Sequence, residues 1–264
     1  MTRPVLIHVG MPKTGTTSLQ MNLFVRHSGI QYLGKPLTAF SKDVARLTRG
    51  ITYDPTLNDP VALEAFRAET VEPLLRGKTA PLVISEEEFA TSTPASQVSR
   101  DDIANRLLGL FPNAQILITI RRQQDAIPSL YSHLRSIGLI GDVEFTPWFN
   151  ANFATEAGQS IYDYANVAER YSHRFGADRV HLVPFEWMRD DSSRFIAQVC
   201  DLMSADRDEG LRAWGDGAVQ NARKGSRVIC SGDQTVRIAQ RYRPGNRQVN
   251  RLHRLNLERL KYAV

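Results

Sequence analysis

Val5-Leu6-Ile7-His8-Val9-Gly10-Met11-Pro12-Lys13-Thr14-Gly15-Thr16-Thr17-Ser18 is the stretch that decides how this chain reads. Its first five residues are short and apolar apart from His8, the pattern of a strand buried on both faces. Glycine and proline break the run, and Thr16 to His27 reads as a helix ending near Gly29. A strand that enters a helix through such a loop makes an anion cradle. Glycine lets backbone amides turn inward, and the helix N-terminus adds partial positive charge. Set against the nucleotide P-loop, GxxxxGK[ST], Gly10 and Gly15 fall in register and Thr17 takes the hydroxyl position. Thr16 stands where the P-loop lysine belongs, and the lysine sits inside the loop at Lys13. In nucleoside triphosphate enzymes that lysine and Mg²⁺ offset several negative charges. Without it, the loop suits a 5′-phosphate bearing a less charged group, with Lys13 at the bridging oxygen. The hydroxyls of Thr14, Thr16, Thr17 and Ser18 can donate further hydrogen bonds.

Strand and helix patterns alternate along the rest of the chain. Apolar runs at Ile30–Leu33, Leu82–Ser85, Gln115–Ile120 and Arg179–Val183 predict strands. Segments 38 to 50, 60 to 76, Asp101–Leu110, Gln123–Ile137, Ile161–Phe175 and about 192 to 203 predict helices, with Asp59-Pro60 as a helix start. The alternation implies an α/β fold: a P-loop-like parallel β-sheet with helices on both faces. Residues 35 to 80 and 138 to 165 read as elaborations on the core, the first with helical insertions and the second without clean periodicity. No repeat or composition break divides the chain. A single domain over 1–264 is expected, with a core sheet over about 1–205 and a basic C-terminal helical segment over about 221–264.

Composition narrows the classes further. Hydrophobic content of 42% and charged content of 23% are too apolar for a disordered chain. No run approaches the roughly 18 apolar residues of a membrane span. Nor does the N-terminus read as a secretion signal. Two cysteines, Cys200 and Cys230, imply no disulfide framework. CxxC, HExxH and EF-hand patterns are missing, so no metal is expected. The expected setting is the cytoplasm.

Pro12-Lys13-Thr14-Gly15-Thr16-Thr17-Ser18-Leu19-Gln20 after an apolar strand resembles the 5′-phosphosulfate-binding loop of sulfotransferases. The resemblance implies a donor, 3′-phosphoadenosine 5′-phosphosulfate (PAPS), a product, adenosine 3′,5′-bisphosphate (PAP), and no metal. Members of that family carry a second signature, a strand ending in Arg with Ser eight positions later. Here the strand Gln115–Ile120 ends in Arg121, and Ser129 lies eight residues on. The resemblance implies that Arg121 and Ser129 hold the 3′-phosphate. A guanidinium at the carboxyl end of a parallel strand lies where α/β folds bind ligands, and its fork fits phosphate oxygens. Many relatives read Arg-Asn-Pro here; this chain has Arg121-Arg122-Gln123, and Arg122 is read as a solvated surface charge.

Sulfuryl transfer to a hydroxyl needs a proton acceptor and positive charge at the departing phosphate. Lys13 is the candidate for the charge. For the base, Leu82-Val83-Ile84-Ser85-Glu86-Glu87-Glu88 puts three carboxylates at a strand end beside the first loop. Crowded like charges raise at least one pKa toward neutrality. The segment resembles the strand–Ser–x–Glu pattern of bacterial carbohydrate sulfotransferases and places Glu87 at the matching position. His133, one turn after Ser129, is the rival base. Helix-start acids favoured by the macrodipole are the plainer account of the cluster. His8, His173, His181 and His253 read as structural or surface residues. The aromatics of 138 to 165, among them Phe145, Trp148, Phe149 and Phe153, read as an acceptor-binding lid, with core filling as the alternative, while Tyr162, Tyr164 and Tyr171 with Phe185-Glu186-Trp187 resemble a packing unit of the family.

The chain carries 33 basic and 28 acidic residues, yet its last 44 residues hold 11 basic and 2 acidic. Arg223-Lys224-Gly225 resembles an Arg-Lys-Gly that touches the 3′-phosphate in cytosolic sulfotransferases. Arg247, Arg251 and Arg254 make one helical face that can meet an anionic glycan or membrane surface, or simply be solvated. No nucleic-acid motif accompanies the charge. The expected partner is a small-molecule or glycan acceptor. A nucleotide kinase or NTPase, and a non-catalytic nucleotide- or polyanion-binding protein, stay open beside the transferase.

Overall fold

The computed structural model describes residues 3–35, 42–90, 97–153, 161–215 and 228–264. Five strands form one parallel sheet: β1 (Val5–Val9), β2 (Gln31–Gly34), β3 (Leu82–Glu86), β4 (Gln115–Ile120) and β5 (Val180–Pro184), in the order β2-β3-β1-β4-β5. The three central strands are almost entirely buried, as their near-continuous Val, Ile and Leu content requires when helices cover both faces. All five predicted strands are present within a residue or two at each end.

The chain leaves β1 through the loop at residues 10–15 and enters α1 (Thr16–Ser18), which continues as a π-helical stretch over Leu19–Phe24. The first insertion is helical, as expected: α2 (Lys42–Tyr53), α3 (Pro60–Phe66) and α4 (Glu72–Leu75). Asp59 caps α3 by accepting from the amides of Val61 and Ala62 at 2.9 Å each, with Pro60 at the first helical position. The insertion is tied to α5 (Arg100–Leu110) by Arg106, which is buried and donates to the Ile51 carbonyl at 2.8 Å and to Asn58 Oδ1 at 2.7 Å.

Beyond β4 come α6 (Gln123–Ser136) and then α7 (Phe145–Phe153), which lacks a clean sequence period. The lid expectation for this segment is overturned. Phe145, Trp148, Phe149, Phe153 and Tyr162 are buried and pack ring on ring, with centroids 5.4 to 6.3 Å apart along the series. They form a core satellite because aromatic area is too costly to leave in water when partners lie one turn away. α8 (Tyr164–Phe175), α9 (Phe185–Asp190), α10 (Ser192–Met203) and α11 (Arg207–Trp214) complete the body.

The basic end forms α12 (Gly232–His253), which packs on α6, α8 and β5. Val249 and Leu257 are buried, and Leu252 is exposed. Arg247 and Arg251 are exposed on α12, and Arg254 is the left-handed residue that ends it. No helix among the described residues is long and apolar enough to cross a membrane. Arg223, Lys224 and Gly225 lie outside the described residues.

The last residues return to the carboxyl edge of the sheet. The Tyr262 hydroxyl donates to the buried Glu186 Oε2 at 2.7 Å, and the Ala263 carbonyl accepts from Asn246 Nδ2 at 2.9 Å. Glu186 Oε1 accepts from the Arg122 amide at 3.1 Å. Tyr262→Phe therefore strips a buried carboxylate of one donor. Urea unfolding is expected to show a loss of about 1–3 kcal/mol with an unchanged m-value.

Candidate active site

Parallel strands that pair in register bring their carboxyl ends to one edge. Val9 faces Glu86 on one side and Ile118 on the other. The loop after β1, the acids after β3 and Arg121 after β4 are therefore neighbours, at the edge where α/β sheets bind ligands.

The loop is sharply turned. Gly15 is the N-cap with φ +91°, a left-handed conformation, and a Cβ there would meet the Phe185 ring at 2.7 Å and Met188 Cε at 2.8 Å. Lys13 also has a positive φ, 64°, unusual for a residue with a side chain. At Gly10 a Cβ would lie 2.7 Å from Thr16 Cγ2 and 3.2 Å from Glu87 Cγ, so the loop and the acidic segment are packed against each other. The first-turn amides of α1 have no partners within the helix, by helical geometry. Together with Lys13 they form a cradle for an anion.

The hydroxyls divide differently from the sequence expectation. Thr14 is buried; its Oγ1 donates to the Met11 carbonyl at 2.8 Å and lies 2.9 Å from Thr119 Oγ1. Thr16 is also buried, and its hydroxyl donates to the same carbonyl at 3.3 Å. These two hydroxyls shape the loop instead of facing out to an anion, joining the Thr14 amide, 3.3 Å away, on the Met11 carbonyl. Ser18 is buried, and Thr17 is the exposed hydroxyl of the set.

Arg121 is held from three sides. Its Nη1 donates to the Lys13 carbonyl at 2.9 Å, and its guanidinium lies 4.7 Å from the Phe185 ring centroid. The Tyr164 hydroxyl accepts from the Arg121 amide at 3.1 Å and donates to the Arg121 carbonyl. Tyr162 does similar work one residue earlier in the loop: its hydroxyl donates to the Pro12 carbonyl at 3.0 Å. Ser129 lies on α6, half-buried, two turns from Arg121. Arg122 corrects its sequence reading. It pairs with Asp125 at 2.6 Å and lies 3.6 Å from Glu186, so it is a shielded structural charge.

β3 ends at Glu86, and Glu87–Phe89 form a 3-10 turn. A continued strand would alternate the three side chains across the sheet; the 3-10 turn sends each to different surroundings instead. Glu86 pairs with Lys35 at 2.8 Å, and Glu88 accepts from the Tyr53 hydroxyl. Glu87 is partly buried. Burial pushes its pKa above the usual glutamate value, opposed by Lys35 and Lys13 and supported by Glu86 and Glu88. His133 sits ten residues into α6, about 15 Å along the axis from the end that adjoins the loop. Glu87 lies within the electrostatic reach of Lys13, which lowers its pKa against the effect of burial.

Lys35, Tyr162, Tyr164 and Thr119 belong to the site but carry no site motif. Lys35 follows a strand end directly, which could have marked it. Gly15→Ala combines a left-handed backbone with a clash against Phe185. It is expected to lower the melting temperature and to cost at least about 1 kcal/mol in denaturant unfolding.

Comparison with known proteins agrees with this geometry. Residues 4–209 match the model of the sulfotransferase family. A sulfotransferase from Alicyclobacillus acidocaldarius superposes with a TM-score of 0.66 at 18% identity, covering 98% of this chain and 99% of that one. Mouse sulfotransferase SULT7A1, solved in complex with PAP, superposes with a TM-score of 0.50 at 13% identity, covering 96% of this chain and 84% of that one. At these identities the structures speak for a shared fold. No curated protein sequence matches the chain. The family match spans the loop, the acidic segment, Arg121 and Ser129 together, and the chain belongs to the sulfotransferase family.

Proposed function

We propose that this sulfotransferase takes its sulfuryl group from PAPS and delivers it in line to a hydroxyl acceptor, releasing PAP. The observation that carries the reading is the Arg121 Nη1 hydrogen bond to the Lys13 carbonyl. It locks the arginine of the second signature onto the lysine-bearing loop of the first. The cradle fits the donor. A Cβ at Gly15 would close it against Phe185, the α1 amides and Lys13 offer positive charge, and Arg121 stands at the next strand end. Bound PAPS supplies an activated sulfuryl group on a phosphate leaving group. The Lys13 ammonium is placed to offset charge on that phosphate, and no metal has a role in this reading. Lys13, Gly15, Thr17 and the loop amides hold the 5′ side. Thr14, Thr16 and Ser18 act through the loop's shape. Arg121 and Ser129 hold the 3′-phosphate, with Arg223, Lys224 and Gly225 assigned there by resemblance.

Glu87 takes the acceptor proton in this reading. Burial raises its pKa and makes it a better base than a solvated carboxylate, with Lys35 and Lys13 opposing the rise. A carbohydrate acceptor follows from the strand–Ser–x–Glu resemblance. The exposed Arg247 and Arg251 offer an anionic glycan a place to rest.

Three measurements test the proposal. Calorimetry is expected to show metal-free binding of PAP in preference to ATP-Mg²⁺. A preference for ATP-Mg²⁺ would instead indicate a kinase or NTPase. Arg121→Ala is expected to weaken PAP binding by roughly 10–100-fold, the scale of a lost charged hydrogen bond. Glu87→Gln is expected to lower kcat about 10²–10⁴-fold with PAP affinity kept. The ionised carboxylate is the active form, so kcat/KM should fall as pH drops through the Glu87 pKa. Because that pKa is raised, the acid limb should lie above the ~4.3 of an ordinary glutamate and vanish in Glu87→Gln. PAP binding without turnover of any acceptor would leave a binding protein in place of an enzyme.

A further inference from the structure

Beneath the loop, five side chains cross the middle of the sheet in one unbroken polar line. Gln20 Nε2 donates to Ser85 Oγ at 3.0 Å. Ser85 Oγ lies 2.8 Å from His8 Nδ1, and His8 Nε2 lies 3.3 Å from Thr119 Oγ1. Thr119 Oγ1 lies 2.9 Å from Thr14 Oγ1, which donates to the Met11 carbonyl at 2.8 Å. Ser85, His8, Thr119 and Thr14 show no solvent exposure, and Gln20 is buried on the π-helical stretch.

The carbonyl end sets the direction of the line, because a carbonyl can only accept. Thr14 gives its hydrogen to Met11, so Thr119 gives to Thr14 and His8 Nε2–H gives to Thr119. At the other end Ser85 accepts from Gln20, and beside a neutral imidazole it gives its own hydrogen to His8 Nδ1. The carbonyl end therefore requires the proton on Nε2. Burial independently favours the neutral form, with the His8 pKa pushed down to about 3.

The placement of the line points to a use. Ser85, His8 and Thr119 each stand two residues before a site residue: Glu87, Gly10 and Arg121. The line begins on the helix that follows the loop and ends on a carbonyl within the loop. For stability alone, apolar residues of similar volume would serve as well on strands whose other buried side chains are mostly Leu, Ile and Val. We propose that His8, as the neutral Nε2–H tautomer at the centre of this line, is a positioning residue that holds the loop in its donor-binding shape through Thr119 and Thr14. This rests on the reading of the loop as the PAPS site.

Thr119→Val and Thr119→Ser separate the claim from general stability. Valine keeps the volume and removes the hydroxyl; serine keeps the hydroxyl. The expected result is a loss of PAP affinity of about tenfold in Thr119→Val, with Thr119→Ser within about twofold of the wild type. Amide exchange at Thr14 and Gly15 should quicken in Thr119→Val alone, and ¹⁵N NMR of the unliganded wild type should show His8 as the Nε2–H tautomer from pH 5 to 9. Equal PAP affinity in Thr119→Val, equal loss in Thr119→Ser, or an Nδ1–H tautomer would each overturn the proposal. A wild type that ignores PAP would sink the donor reading by itself, and the exchange and tautomer results would still decide whether the line holds the loop.

Discussion

The register between β1 and its two neighbours is the constraint on which the rest of the site depends. Val9 pairs with Glu86 and with Ile118, so three strands end at nearly one level, each about 4.8 Å from the next. The Gly10 amide carries the ladder one residue further by donating to the Glu86 carbonyl at 3.2 Å. A loop, a carboxylate and a guanidinium spread over more than 100 residues of sequence thereby meet at one edge. Slipping one register would put every side chain of β1 on the wrong face of the sheet. His8 would then leave Ser85 and Thr119, and the turn after Val9 would no longer open beside Glu87.

That edge does not rely on bulk charge. The body up to residue 220 holds 22 basic and 26 acidic residues, and the basic excess lies in the last 44. What the edge offers an anion is local: helix amides, Lys13 and Arg121, the last of these held before any ligand arrives. Arg121 is fixed by Tyr164 on its backbone and Phe185 beneath its guanidinium. Preorganised charge of this kind avoids the reorganisation that a solvated lysine or arginine would undergo. The basic α12 then has freedom to serve contact with other anions.

The parts that were legible in the sequence are those whose cause is local. A strand needs only its apolar run, and the loop needs only its glycines and the lysine between them. All five strands, the long helices and the neighbourhood of Lys13, Glu87 and Arg121 follow from such patterns. What was misread depends on distant partners. Thr14 looks like an anion donor until Thr119, 105 residues away, and the Met11 carbonyl claim its hydroxyl. Arg122 looks solvated until Glu186, 64 residues on, comes within 3.6 Å. The aromatics of α7 look like a lid because periodicity cannot show that Tyr131 and Tyr162 stand ready to pack on them. Glu87 was singled out by resemblance, yet the different surroundings of the three glutamates arise from a 3-10 turn.

The Lys13 backbone shows how such contacts combine. A left-handed φ of 64° costs a residue with a Cβ about 1 kcal/mol or more. Two distant hydrogen bonds flank the strained residue: Tyr162 donates to the Pro12 carbonyl, and Arg121 donates to the Lys13 carbonyl itself. Each net hydrogen bond is worth about 0.5–1.5 kcal/mol, and one to a charged donor more, so the pair is of the size needed to hold the turn. The strain is therefore tied to the arginine of the second signature. A loop relaxed at Lys13 would release Arg121, and a displaced Arg121 would let the loop relax. The two signatures that the sequence places on successive βα units behave as one mechanical unit, which is why a site built from an otherwise weak loop pattern can be specific.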